Sequence, residues 1–139
     1  VISKFFLEAL NYLQHYGLVR VPGTPTQRHH TWNHLTWIDR TVGFEITTHV
    51  DHHVDPDLRF DQLVPHPDAP QMPNLFVCAV SAFIPPLWFG KIAMPRLREW
   101  DLHHASPQER ELAREANRRA GWPDWCAEAD DSAAVARAA

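Results

Sequence analysis

Three histidines within five residues, in the run His49-Val50-Asp51-His52-His53, constrain this chain more than any other feature. Their spacing makes geometric sense only at helical period. At positions i, i+3 and i+4 the three imidazoles fall within about 100° of one another on one helix face. The spacing therefore predicts a helix over residues 31–53. The β-branched load of Ile38, Thr41, Val42, Ile46, Thr47, Thr48 and Val50 lowers intrinsic helicity and leaves two strands as the alternative. Three neutral imidazoles are poor core material and gain nothing by facing water together. On one face they can ligate one metal ion or straddle two. Glu45, one turn earlier on the same stripe, can accept a ligand's far ring N–H or itself coordinate. The competing reading is a solvated polar helix end with no ligand role.

Composition narrows the metal. The chain has 10 His among 139 residues but two Cys, Cys78 and Cys126, too far apart for a zinc ribbon or a disulfide framework. An all-histidine donor set with carboxylate help suits iron, or another imidazole-preferring redox metal, at least as well as zinc. With 13 basic against 17 acidic residues the net charge is −4, which argues against a nucleic-acid partner. No phosphate loop and no Ser/His/Asp arrangement is present.

The first predicted helix, residues 3–18, carries Lys4, Glu8, Asn11 and His15 on one stripe, with Phe5, Phe6, Leu10, Leu13 and Tyr16 over the rest. That is the inverse of a surface helix. It implies a polar interior, where Glu8 and Asn11 support His15, and an apolar, lipid-facing outside. No uncharged apolar run reaches the roughly 18 residues of a membrane span. Residues 75–94 predict an apolar helix kinked at Pro85-Pro86, after an irregular Pro-rich segment over 55–73. Ser106-Pro107-Gln108-Glu109 is a capping box with Pro at the first helical position, opening a short solvated helix that ends near Gly121. Glu111, Arg114, Glu115, Arg118 and Arg119 supply its surface ion pairs, and a frayed tail follows Trp125. His30 and His34, which flank Trp32, are read as supporting or structural, and His66, His103 and His104 as surface. The expected fold is all-α, in two parts, 1–104 and 105–139. Opening on Val1 with no polar lead-in, the chain reads as the C-terminal part of a longer protein.

The run Asn11-Tyr12-Leu13-Gln14-His15-Tyr16-Gly17-Leu18 resembles the N-Y-x-E/Q-H-Y-G-L signature of the integral-membrane non-haem di-iron hydroxylases, the alkane and xylene monooxygenases. The likeness continues through His30-Thr31-Trp32-Asn33, the His49-x-x-His52-His53 box and Asp68-Ala69-Pro70-Gln71-Met72-Pro73. It extends to Pro85-Pro86-Leu87-Trp88 and Met94-Pro95-Arg96-Leu97, so that residues 8–101 match in order. The resemblance implies the C-terminal helices of a multi-helix enzyme of the membrane fatty-acid desaturase and hydroxylase superfamily. It implies that His15, His49, His52 and His53 are iron ligands, with Glu8, Asn11, His30 and Glu45 around them, in a centre of two iron ions per complete enzyme. Such enzymes insert one oxygen atom of O2 into an unactivated C–H bond of a hydrocarbon. Their electrons come from NADH through a reductase and a rubredoxin- or ferredoxin-type carrier. They sit among lipid in the bacterial inner membrane, with the active site on the cytoplasmic side.

Two departures bear on substrate. Gln14 stands where the alkane branch has Glu, and Thr47-Thr48 where it has Gln-Arg, which favours an aromatic methyl group, as in xylene or cymene, over an n-alkane. The upstream H-x-x-x-H and E-H-x-x-x-H-H boxes of the family are not among these residues, so the segment alone is expected to be inactive. The alternatives are a non-catalytic metal-binding module and a desaturase-type enzyme.

Overall fold

A computed structural model describes residues 2–127. Among them all regular structure is helical, apart from an isolated parallel bridge between Asn33 and Gln71. The expected all-α class holds.

Helix α1, Ile2–His15, ends as the motif glycine dictates. Gly17 has φ 73°, and a Cβ there would lie 2.7 Å from both Cδ atoms of Leu97. Both the left-handed conformation and the close approach of another element exclude a side chain. Gly17→Ala is expected to destabilise the protein by about 1–2 kcal/mol. Trimming Leu97 to Val in the same chain should recover part of the loss, as read by urea denaturation in detergent.

The single helix expected over 31–53 is replaced by two short ones, α2 at Trp37–Val42 and α3 at His49–Val54. Thr31 is extended, and Thr36 caps α2 through the Asp39 amide at 3.3 Å. Beyond Gly43, Phe44 and Glu45 are both left-handed, with φ 50° and 62°. Two such residues in succession cannot continue a right-handed helix. The β-branched residues offer little propensity to resist the break. Only the last five residues of the expected helix, 49–53, keep the predicted histidine spacing.

The apolar segment 75–94 is broken rather than kinked. Asn74 caps α4, Leu75–Ala82, through the amides of Phe76 and Val77. Ile84, preceding Pro85, has φ −123° and ψ 87°, outside the helical region, as a residue before proline prefers. Pro85-Pro86 then open a new helix. Its first turn, α5 at Pro85–Leu87, continues through π-helical Trp88–Ala93 into α6, Met94–His103.

The predicted capping box forms at the start of α7, Pro107–Ala120, and Gly121 closes it in the left-handed conformation. This helix is not simply solvated. Glu109, Ala113 and Asn117, one turn apart, are buried, while Glu111, Arg114, Glu115 and Arg119 pair on the outside. Asn117 Nδ2 and Trp125 Nε1 both donate to the buried Asp101 of α6, at 2.9 and 2.5 Å. The tail expected after Trp125 lies, beyond Ala127, outside the described residues.

Three fully buried tryptophans, Trp32, Trp88 and Trp100, form the centre of the core with Leu13, Met72, Ile92 and Leu97. No helix among the described residues is long and apolar enough to cross a membrane.

Candidate metal centre

The motif blocks meet because their polar groups satisfy one another. The Trp32 amide donates to the Gln14 carbonyl at 2.8 Å, and its indole N–H donates to the Tyr16 carbonyl at 2.9 Å. These two bonds bracket His15. Asn33 does the same for α3. Its Nδ2 donates to the Pro70 carbonyl at 3.1 Å, and its Oδ1 accepts from the Val50 amide at 3.3 Å. That amide is one of the donors left unpaired in the first turn of a helix. The His34 amide adds a bond to the Thr47 carbonyl at 3.1 Å. On the far side, Asp51 holds the 55–66 loop, bonding His66 Nε2 at 2.7 Å and the Val64 amide at 3.0 Å.

The result is a convergence of three imidazole nitrogens. His49 Nε2 lies 3.3 Å from His15 Nε2, His53 Nε2 lies 3.1 Å from His15 Nε2, and His53 and His49 are 2.8 Å apart. His49 is buried, His15 half-buried and His53 exposed. Burial, and then the neighbouring His53, His15 and His52, push the His49 imidazole down to about 3. Its ring is therefore neutral, with a lone pair available.

The geometry fits a metal ion. The centre of the Nε2 triangle is about 1.8 Å from each nitrogen, close to the roughly 2.0–2.1 Å of an imidazole–metal bond, so these three residues could hold one ion. A site made of three histidines would leave room for further ligands.

Of the other expected site residues, His52 lies on α3 but outside the convergence. Its exposed ring is 5.8 Å from that of His49 and 5.9 Å from that of His53, centroid to centroid. Glu8 and Asn11 are exposed on α1. Glu45 is turned back onto Arg40, whose Nε donates to both its oxygens at 2.8 and 3.1 Å. With the helix broken at residue 44, Glu45 is off the His49 stripe. The His30 ring is turned to Glu109 and the Gln27 amide and lies outside the convergence. His34 is fully buried, with Nδ1 2.6 Å from the Pro73 carbonyl oxygen. His66, expected at the surface, is tied to Asp51.

A second grouping escaped the sequence reading. Glu109 Oε1 meets His30 Nε2 at 2.5 Å and Oε2 meets His29 Nε2 at 3.0 Å. The Gln27 amide donates to His30 Nδ1 at 2.8 Å, which leaves the neutral ring's proton on Nε2, facing the carboxylate. A metal at this position would have to displace that proton, so the group is a hydrogen-bonded clamp and not a donor set. Burial alone would raise the Glu109 carboxyl, but the hydrogen bonds from His30, Ser106 and His29 outweigh it and hold it at about 2. Glu109 was legible as half of a capping box. Nothing in local spacing announces a partner 79 residues away.

The sequence is similar to known proteins. Residues 1–74 match the fatty acid desaturase family model. The chain is 55% identical over 126 residues to the xylene/toluene monooxygenase hydroxylase component XylM of Pseudomonas putida, covering 91% of this chain and 34% of that protein. It is 33% identical over 105 residues to alkane 1-monooxygenase 1 of Pseudomonas aeruginosa, covering 71% of this chain and 27% of the relative. Against alkane 1-monooxygenase of Acinetobacter baylyi the identity is 34% over 94 residues, or 63% of this chain and 22% of the relative. The chain thus spans about a third or less of the length of these relatives. The blocks that assemble the histidine triad lie within the matched residues 1–74, and the chain belongs to the fatty acid desaturase family, in its xylene and alkane monooxygenase branch.

Proposed function

We propose that the chain is the C-terminal part of a membrane-bound di-iron monooxygenase that hydroxylates a methyl group of a hydrocarbon. The observation that carries this reading is the convergence of His15, His49 and His53 through Nε2. These residues hold iron, with His52 beside them as a further ligand, and the remaining ligands come from the two thirds of the enzyme outside this chain. Iron supplies reductive activation of O2, using electrons from an NADH-linked reductase through a rubredoxin- or ferredoxin-type carrier. The site lies at the cytoplasmic face of the bacterial inner membrane.

The chain's own contribution to substrate is apolar. A cleft of about 750 Å³ runs between α1, α2 and α4, lined by Phe5, Leu10, Leu13, Ile38, Thr47 and Phe76 among others. Leu13 and Thr47 each stand two positions from a proposed ligand. Walls of this kind hold a hydrocarbon by burial and exclude water, and they offer little to a polar substrate. The 55% identity to a xylene/toluene monooxygenase component, together with Gln14 and Thr47-Thr48, supports an aromatic methyl group over an n-alkane.

The test uses the complete polypeptide containing this segment, expressed in membranes with its electron donors. About two irons per polypeptide, and faster conversion of p-xylene to its benzylic alcohol than of n-octane to 1-octanol, are expected. A membrane protein without iron would overturn the reading. Conversion of a fatty acyl chain to an alkene would move it to the desaturases.

A further inference from the structure

We infer that His66, in the loop that follows α3, is a positioning residue for this ligand-bearing helix, acting through Asp51. This rests on the reading of His49 and His53 as ligands. Asp51 lies two residues from each of them on α3. At 100° per residue that is about 200° around the helix, so Asp51 stands on the face turned away from the converging nitrogens. There His66 Nε2 donates to Asp51 Oδ1 at 2.7 Å, and the Val64 amide donates to Oδ2 at 3.0 Å. The two side chains are only 15% and 16% exposed, so water competes little for their bond.

The loop that Asp51 grips is itself anchored to the residue that holds the start of α3. The Ala69 amide donates to the His66 carbonyl at 3.1 Å, and the Pro70 carbonyl accepts from the Asn33 amide at 3.0 Å and from Asn33 Nδ2 at 3.1 Å. Asn33 Oδ1 in turn accepts from the Val50 amide at 3.3 Å. Helix, loop and Asn33 thus form a closed circuit: Val50 to Asn33, Asn33 to Pro70, and His66 back to Asp51. Phe60 of the same loop rests against Phe44, in the turn that leads into α3, with ring centroids 6.3 Å apart. A six-residue helix has little rigidity of its own. Asn33 fixes its first turn, and Asp51 fixes its rotation about its axis. That rotation decides whether His49 and His53 present Nε2 to His15 at 3.3 and 3.1 Å. The plainer alternative is that the pair only tacks down a surface loop, in which case breaking it would leave the metal site unchanged.

The experiment measures iron loss from the complete, iron-loaded polypeptide in membranes to an external ferrous chelator, after reduction. His66→Phe keeps a ring and removes the donor. It is expected to lose iron roughly tenfold faster than the parent, the effect of removing one hydrogen bond to a carboxylate. His66→Gln, whose amide N–H reaches about as far as Nε2, should stay close to the parent. Trp125→Phe controls for lost stability alone: it removes the 2.5 Å bond to Asp101, between other elements of the fold, and should lose iron at the parent rate. If the Phe variant does not accumulate, His66→Asn, whose amide stops short of Asp51, replaces it, and its faster loss than the Gln variant is then the expected result. Equal rates for His66→Phe and Trp125→Phe, or loss from the Gln variant as fast as from the Phe or Asn variant, would overturn the inference. A parent without iron would overturn the reading of the centre and this inference with it. An iron-loaded parent matched by His66→Phe would overturn this inference alone.

Discussion

His49→Ala in the complete polypeptide is expected to abolish stable iron binding and to lower hydroxylation by about a thousandfold or more. Of the three convergent histidines His49 is the buried one, with its Nε2 3.3 Å from that of His15 and 2.8 Å from that of His53. Its loss would leave only His15 and His53 of the three proposed ligands. A metal that contributes several kcal/mol of transition-state stabilisation accounts for a factor of that size. The control is His103→Ala on exposed sequence at the end of α6, for which both iron content and rate should be unchanged. Iron per polypeptide and initial product rate read the outcome. Full retention of iron by the His49 variant would remove this histidine from the ligand set.

The largest loss of stability is expected from Trp100→Ala, at about 4 kcal/mol. Trp100 is completely buried among the core residues of α6, and its indole N–H carries the bond to the His29 carbonyl. Truncation creates a large cavity and leaves that carbonyl unpaired. Trp100→Phe separates the two effects. It keeps most of the ring volume and is expected to cost about 1–2 kcal/mol, chiefly from the lost hydrogen bond. Denaturant midpoints in detergent distinguish them. Equal losses for the two variants would mean that packing contributes little here.

What was legible from the sequence is what short spacing can encode. His15 and Gly17 sit in one eight-residue block, and the structure ends α1 at that glycine. The capping box at Ser106 and Glu109 and the stop at Gly121 were equally local. The helix predicted over 31–53 is broken because its only strong signal, the histidine spacing of residues 49–53, says nothing of the residues before them. Phe44 and Glu45 adopt left-handed conformations supported by contacts outside that window, the Phe44 ring against Phe60 at 6.3 Å and Glu45 against Arg40. Once the chain turns there, Glu45 cannot share a face with His49. The other misses are long-range pairs. His30 with Glu109, His29 with Trp100 and Asp51 with His66 join segments whose separation leaves no periodic trace.

Helix α3 is one and a half turns long, far below the length at which a peptide helix persists by itself. Two of the converging nitrogens lie on it, and the third lies 34 residues before His49. An ion shared by these nitrogens is therefore also a cross-link that closes a long loop. By the loop-closure arithmetic used for disulfides, a tie of that span removes roughly 4 kcal/mol of freedom from the unfolded chain. Iron starvation would then act on this protein as a reductant acts on a small disulfide-bonded domain, by lengthening the free chain, before any question of turnover arises.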